Sequence, residues 1–414
     1  MTHALLLALA LAAPVHAEGW EASLPKALAA AKKSSKSVLV DFTAPWCYSC
    51  YYMEKNVLDR QSFWDVARAL ELARIDVDLP EGLALKAAHQ VRFLPTFLVL
   101  DSNGKELGRI LGEQREADFV AQLKAFLGGG KPSPEDEAVK AVETALQRDD
   151  LKGAAAALAR PKGELAKSLA ARADWRKLSL RLNLKRKPTA SDLKAMVEMS
   201  DGCDLAYDLD AGFKAEPPKE LLLALRPKLD AWYERRFWVP RRDRCADFRT
   251  GVESMAELYE RLGDAAAKAA TLDRAATLIS AESDRMGLGA DRNSDDDRRF
   301  FLDAAGKDAE LEALFPRLVE AYPADYVYAQ RFAKWLVAKN RHTEALPWSE
   351  KAAKLCYGAN RLSVTKTQAE ILEKLGRRSE AITILKREIK GYGAKFPKEV
   401  KPLADLLAAL TITK

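Results

Sequence analysis

Cysteine is scarce in this chain. Five occur in 414 residues, at Cys47, Cys50, Cys203, Cys245 and Cys356, far fewer than a disulfide-stapled scaffold carries, and the odd number leaves at least one thiol free or shared. Histidine is scarcer still, with His3, His16, His89 and His342 alone. With no second CxxC, a structural zinc site lacks its third and fourth ligands. Charge of one sign is in small excess: 66 basic against 60 acidic residues leave +6, which does not argue for nucleic acid. Beyond the first residues there is no uninterrupted apolar run of the length a bilayer needs.

The opening stretch, "MTHALLLALALAAPVHA", is apolar from Ala4 to Ala13 and ends with the small residues Val15 and Ala17. That pattern predicts a cleaved secretory signal over residues 1–17, and hence a periplasmic or secreted protein with no stable membrane insertion after cleavage. A length of 414 residues predicts two or three domains. Residues 20–35 read as a helix and "SVLVDFT" (37–43) as a buried strand; a helix follows from Cys47. Next come "QSFWDVARALE" as helix, "LARIDVD" as strand, "EGLALKAAHQ" as helix and "TFLVLD" as strand, with Asn103 and Gly104 turning into "ELGRIL". The amphipathic "EADFVAQLKAFL" closes an α/β sandwich over residues 18–128, parallel strands first and an antiparallel pair after.

The glycines, prolines and charges of residues 129–137 predict an exposed connection. Residues 138–414 are rich in Ala, Leu, Arg, Lys and Glu with almost no strand signal, so an all-helical domain is expected. Within it "FAKWLVAKNRHTEALPWSEKA" from Phe332 and "TQAEILEKLGRRSEAITILKRE" from Thr367 match at an offset of 36, aligning Leu336 with Leu372, Asn340 with Gly376 and Ala345 with Ala381. "LYERLGDAAAKAATLDRA" has the same shape around Gly263. This resembles the tetratricopeptide repeat, most clearly over 332–390; a plain helical array is the alternative.

Two cysteines three apart can hold a metal, staple a loop or trade electrons. Cys47 stands at the first turn of a helix after a strand, where unpaired N–H groups and the helix dipole favour a thiolate. Cys50, one turn on, can attack a mixed disulfide made by the first. So short a ring adds little stability, which argues against a staple. Metal trafficking through Cys47, Cys50 and Met53 remains an alternative, since soft ligands suit Cu(I). Asp41, six residues before Cys47, is placed to take a proton from Cys50, or else caps a turn at the strand end. Pro95 immediately precedes an apolar strand, where a cis peptide would explain it.

Taken together, "VLVDFTAPWCYSC" and "FLPTFLVLDSNGKELGRILG" resemble the thioredoxin superfamily over residues 20–128. "CYSCYYMEKNVL", through Cys47, Cys50, Glu54 and Lys55, is similar to the corresponding helix of the C-terminal periplasmic domain of the DsbD thiol:disulfide interchange family. The resemblance implies Cys47 as nucleophile, Cys50 as resolving thiol, Asp41 as buried proton acceptor and Pro95 as a cis-proline beside the pair. It also implies that Trp46, Tyr48, Leu94, Pro95 and Thr96 meet a substrate, and that the reaction is protein-disulfide reduction without a cofactor, between a client protein and an upstream redox partner. Tyr48 and Ser49 stand where thioredoxin itself has Gly and Pro, and Tyr51 where a lysine is common. A redox sensor or scaffold whose helical domain does the main work is the competing expectation.

Other signals are weaker. Cys203 and Cys245 are expected to pair, and Cys356 to be a buried thiol. In "WYERRFWVPRRDR" (232–244) Phe237 and Trp238 should pack inward while the arginines stay wet. "DRNSDDD" (291–297) mimics a calcium loop but has Asp296 in place of the turn glycine and Leu302 in place of the bidentate Glu, so a solvated loop is expected. Arg74 reads as a surface residue and His89 as a packing one.

Overall fold

The run Ser37–Thr43 forms the central strand of a five-stranded sheet, because its residues 38–42 are buried on both faces. In this computed structural model residues 19–128 and 132–412 are described; the expected signal at 1–17 and the first part of the expected connection, 129–131, lie outside them. The elements are β1 (Trp20–Glu21), α1 (Leu24–Ser34), β2 (Ser37–Thr43), α2 (Tyr48–Met53), α3 (Gln61–Ala67), β3 (Leu70–Asp76), α4 (Pro80–Ala88), β4 (Thr96–Leu100), β5 (Glu106–Leu111) and α5 (Glu116–Leu127). A single π-helical turn, Glu54–Leu58, continues α2. Strand order is β1-β3-β2-β4-β5, with β1, β3 and β2 parallel and β4 and β5 antiparallel.

Alternation along β2 sends Val38, Val40 and Phe42 to one face, with Leu24, Ala27 and Ala31 of α1, and Leu39 to the other, with Phe63 of α3, Phe119 of α5 and the π-turn residues Val57 and Leu58. Phe97 and Phe119 meet edge to face at 4.9 Å in that second layer. The N-terminal helix is shorter than the sequence pattern predicts. Trp20 and Glu21 instead pair with Leu72 and Ala73 as an edge strand, and helix begins at Leu24, where Pro25 suits the first turn.

Beyond Ser133 the described residues form helices and turns alone. The helix Pro134–Gln147, capped by Ser133, starts inside the expected connection and runs beside β5: Lys140 donates to the Leu107 carbonyl, and Arg148 to Glu106 at 2.7 Å. A main helical core then extends from Leu184 to Leu410. Helices Val327–Ala338 and His342–Leu355, then Asn360–Lys374 and Arg378–Tyr392, pack as successive pairs. Asn340 and Gly376, aligned in sequence, both take the left-handed conformation at the turn within each pair (φ 60° and 76°). Cys203 and Cys245 are joined by a disulfide, and Cys356 is a buried free thiol.

"DRNSDDD" is no solvated loop: Asp291 caps the helix Arg292–Ala304, and Asn293 to Asp297 are buried in its first turns. Its carboxylates are tolerated inside because each has donors, Arg241 for Asp291, Ser283, Gly289 and Tyr322 for Asp295, and Arg249 for Asp296 and Asp297. In 232–244 Phe237 does pack inward, but Arg244 is not wet; it is buried on Glu282 at 2.7 Å.

Candidate active site

β2 ends at Thr43, the Cys47 N–H closes a turn on the Ala44 carbonyl at 3.1 Å around Pro45, and the chain enters α2 with Cys47 as its N-cap. The Cys47 sulfur accepts the Cys50 N–H at 3.1 Å, so it sits where the helix presents unpaired donors. Cys47 and Cys50 are bonded to each other and are only 4% and 8% exposed. They pack with Ala44, Val77 and Leu94, and the Leu94–Pro95 peptide is cis.

Asp41 lies in β2 opposite Arg74 of β3. Arg74 is not a free surface residue: its Nε donates to Asp41 at 3.0 Å and its Nη1 to Glu54 at 3.2 Å, one helical turn on from Cys50, while its guanidinium lies over the Trp20 ring at 4.7 Å. Arg74 pulls the Asp41 carboxyl down, but burial outweighs it and raises the pKa to about 6. His89 packs its ring on Phe42.

The other expected contact residues divide. Trp46 is 40% exposed, its indole N–H held by the Asp78 carboxylate at 3.0 and 3.2 Å. Burial raises Asp78 to about 6. Leu94 is half-buried beside the disulfide and Pro95 is buried, its carbonyl accepting the Gly112 N–H at 2.9 Å. Thr96 is fully buried, and its hydroxyl donates to the Phe93 carbonyl at 2.7 Å, so its side chain is turned away from any visitor. Tyr48 is half-buried beneath Arg249 of the helical region, whose guanidinium is 3.7 Å from the ring centroid.

Helical residues that sequence reasoning left out therefore border the pair. Asn293 donates to the Tyr48 carbonyl at 3.4 Å, Arg292 to that of Pro45 at 3.4 Å and Arg331 to that of Trp46 at 3.3 Å. Tyr357 donates to Asp76 at 2.5 Å and the Ala359 N–H to the Asp78 carbonyl at 2.9 Å. Glu113, just past β5, is buried as well. Burial first, then the charges of Asp247 and Asp297, pushes its carboxyl well above the usual range, with Ser49 and Arg249 acting the other way.

Residues 24–127 match the family model described as a thioredoxin-like domain. The chain is 34% identical over 94 residues to a thioredoxin-like protein of Synechocystis sp., covering 23% of this chain and 85% of that one. It is 32% identical over 108 residues to the thiol:disulfide interchange protein DsbD 2 of Pseudomonas aeruginosa, covering 25% of this chain and 18% of that protein. A solved thioredoxin from Thermus thermophilus aligns at 30% identity and a TM-score of 0.25, over 27% of this chain and 91% of its own. The matched segment contains the whole sheet apart from β1, and both cysteines of the bonded pair. Through residues 24–127, the chain belongs to the thioredoxin-like family.

Proposed function

We propose that the protein is an extracytoplasmic thiol–disulfide oxidoreductase, working as a protein-disulfide reductase, in which the helical region binds partners. The observation that carries this reading is the bonded Cys47–Cys50 pair at the N-terminus of α2, directly after the strand β2 in which Asp41 is buried. In the reduced protein Cys47 is the thiolate and Cys50 the thiol. Cys47 attacks a client S–S bond, forming a Cys47–client disulfide and releasing one client sulfur as thiolate, which takes a proton from water. Cys50 then loses its proton toward Asp41 and attacks the Cys47 sulfur. The second client thiol leaves, and two electrons have passed from the pair to the client. An upstream dithiol protein restores the pair, and no cofactor enters.

Client contact falls to Trp46 and to the Leu94 backbone beside cis-Pro95, with exposed Phe93 next to them. Tyr48 acts through its place between the cysteines, under Arg249. An extracytoplasmic setting draws support from the signal-like pattern of residues 1–17 and from the Cys203–Cys245 disulfide, which persists in oxidising compartments. No helix among the described residues is long and apolar enough to cross a membrane. We take 18–128 as the thioredoxin-like domain, 138–414 as the helical domain with tetratricopeptide-like pairs at 332–390, and 129–137 as connection, its last four residues already the first turn of the helix Pro134–Gln147. Insulin reduction tests the activity: the wild type turns over and Cys47→Ser does not. Turnover that survives Cys47→Ser contradicts the assignment.

A second reading, a redox sensor whose helical region is the working part, is favoured by the grip of residues 292, 293 and 331 on the redox turn. Absence of insulin turnover in the wild type, with the pair still reducible, selects it.

A further inference from the structure

Four residues that bracket Cys47 and Cys50 are touched by the helical region, and the reaction above uses none of those contacts. The Pro45 carbonyl accepts Arg292 at 3.4 Å, the Trp46 carbonyl accepts Arg331 at 3.3 Å and the Tyr48 carbonyl accepts the Asn293 amide at 3.4 Å. Arg249 covers the Tyr48 ring at 3.7 Å and Arg292 the Tyr51 ring at 4.1 Å. The Tyr51 hydroxyl closes the same turn from below by donating to the Pro45 carbonyl.

These cations are seated from behind. Arg292 pairs with Asp325, Arg331 with Asp296, and Arg249 with Asp296 at 2.9 Å and Asp297 at 2.5 Å. Asp296 is 0% exposed. Buried carboxylates of this kind are costly unless each lone pair finds a donor, and a guanidinium fork can satisfy them with some of its N–H groups while aiming others elsewhere. Here the others, and the cation faces, are aimed at the redox turn. Position 51 holds a tyrosine, and Arg292 places a positive charge over its ring.

We propose that Arg292 and Arg331, with Arg249 and Asn293, are positioning residues of the redox pair: the helical region clamps the turn and stabilises the negative charge that Cys47 carries once the pair is reduced. The proposal rests on reading Cys47 as the nucleophile. The physical basis is direct. The donors fix the backbone of residues 45 and 46 that leads into Cys47, and guanidinium charge held beside that backbone favours a negative sulfur at Cys47. Stabilising the thiolate favours the reduced pair.

The test is equilibration of the full chain with glutathione. Two glutathione thiols give two electrons to the Cys47–Cys50 bond, yielding glutathione disulfide, the Cys47 thiolate, the Cys50 thiol and one proton. Arg331→Gln and Arg292→Gln are each expected to lower the equilibrium constant for that reduction about fivefold, roughly 20 mV, because a partly screened charge has been removed. The pH midpoint for alkylation of Cys47 rises in both. Arg331→Lys, which keeps the charge, retains most of the wild-type value, and Arg341→Gln, whose arginine pairs with Glu312 and Glu344 away from the turn, leaves it unchanged. Folded Arg292→Gln and Arg331→Gln proteins with the wild-type constant and midpoint overturn the proposal, as does an Arg331→Lys shift as large as that of Arg331→Gln. A wild-type pair that never exchanges with glutathione overturns both this proposal and the reading of Cys47, and is recognised because the parent protein itself is inert.

Discussion

Asp41 carries a proton at a pH where an exposed aspartate has long lost it. Its pKa of about 6, against 3.8 for the free side chain, means that the folded state binds a proton more tightly than the unfolded state. The stability this contributes is fully present below 3.8 and is lost as pH rises through about 6. At pH 7 to 8 the ionised carboxylate is therefore a cost, which Arg74 only partly offsets. Asp41→Asn is expected to raise unfolding free energy at pH 8 by about 2 kcal/mol and to give no gain near pH 4, as urea titrations at the two values will read. The same variant should slow resolution of the mixed disulfide by at least about tenfold, since the base has gone. A variant that is less stable at pH 8 and resolves at the wild-type rate contradicts both roles.

Elements transmit the grip of the helical region to the pair. The turn between helices His342–Leu355 and Asn360–Lys374 docks on the loop after β3 through Tyr357 and Ala359, and that loop holds the Trp46 indole through Asp78. Gly358 makes the approach: its φ is +57°, and an added Cβ would stand 2.3 Å from the Asp78 carbonyl oxygen. Gly358→Ala should loosen this contact, seen as faster amide exchange around Asp78 and a change in Trp46 fluorescence, with the far helices unaffected. The Cys203–Cys245 bond closes 42 residues of chain within the helical core, which by loop entropy is worth about 4 kcal/mol. Cys203→Ser with Cys245→Ser should lower the unfolding free energy read by urea titration by up to that amount and leave the glutathione equilibrium of Cys47 and Cys50 as it is.

Elements with a local signal are legible in the amino-acid order alone. Short β-branched and apolar runs mark β2 to β5, Asn103–Gly104 the hairpin, and the spacing of Cys47, Cys50 and Pro95 the redox turn. Pairing at a distance is not legible in this way. Trp20–Glu21 is too short a strand to show a period, and it exists because β3 offers an open edge. Arg74 reads as one charge in a strand, and only the strand register sets it opposite Asp41. "DRNSDDD" reads as wet because acidic runs usually are; its donors Arg249 and Arg331 lie tens of residues away, and nothing local announces them.

At the scale of the whole molecule, the helical region is more than an appendage on a small redox domain. It meets the sheet unit along β5, at the loop after β3 and over the redox turn itself. Under the proposed role of Cys47, residues on both sides of the connection share one site. In the proposed cycle Cys47 exchanges disulfides with a client and Cys50 releases it. Trapping tests this most directly: full-length Cys50→Ser, reduced and mixed with a disulfide-bonded client, is analysed by mass spectrometry without reductant. A client adduct mapped to Cys47, absent from Cys47→Ser, is expected; no adduct, or one on Cys356 alone, rules the cycle out.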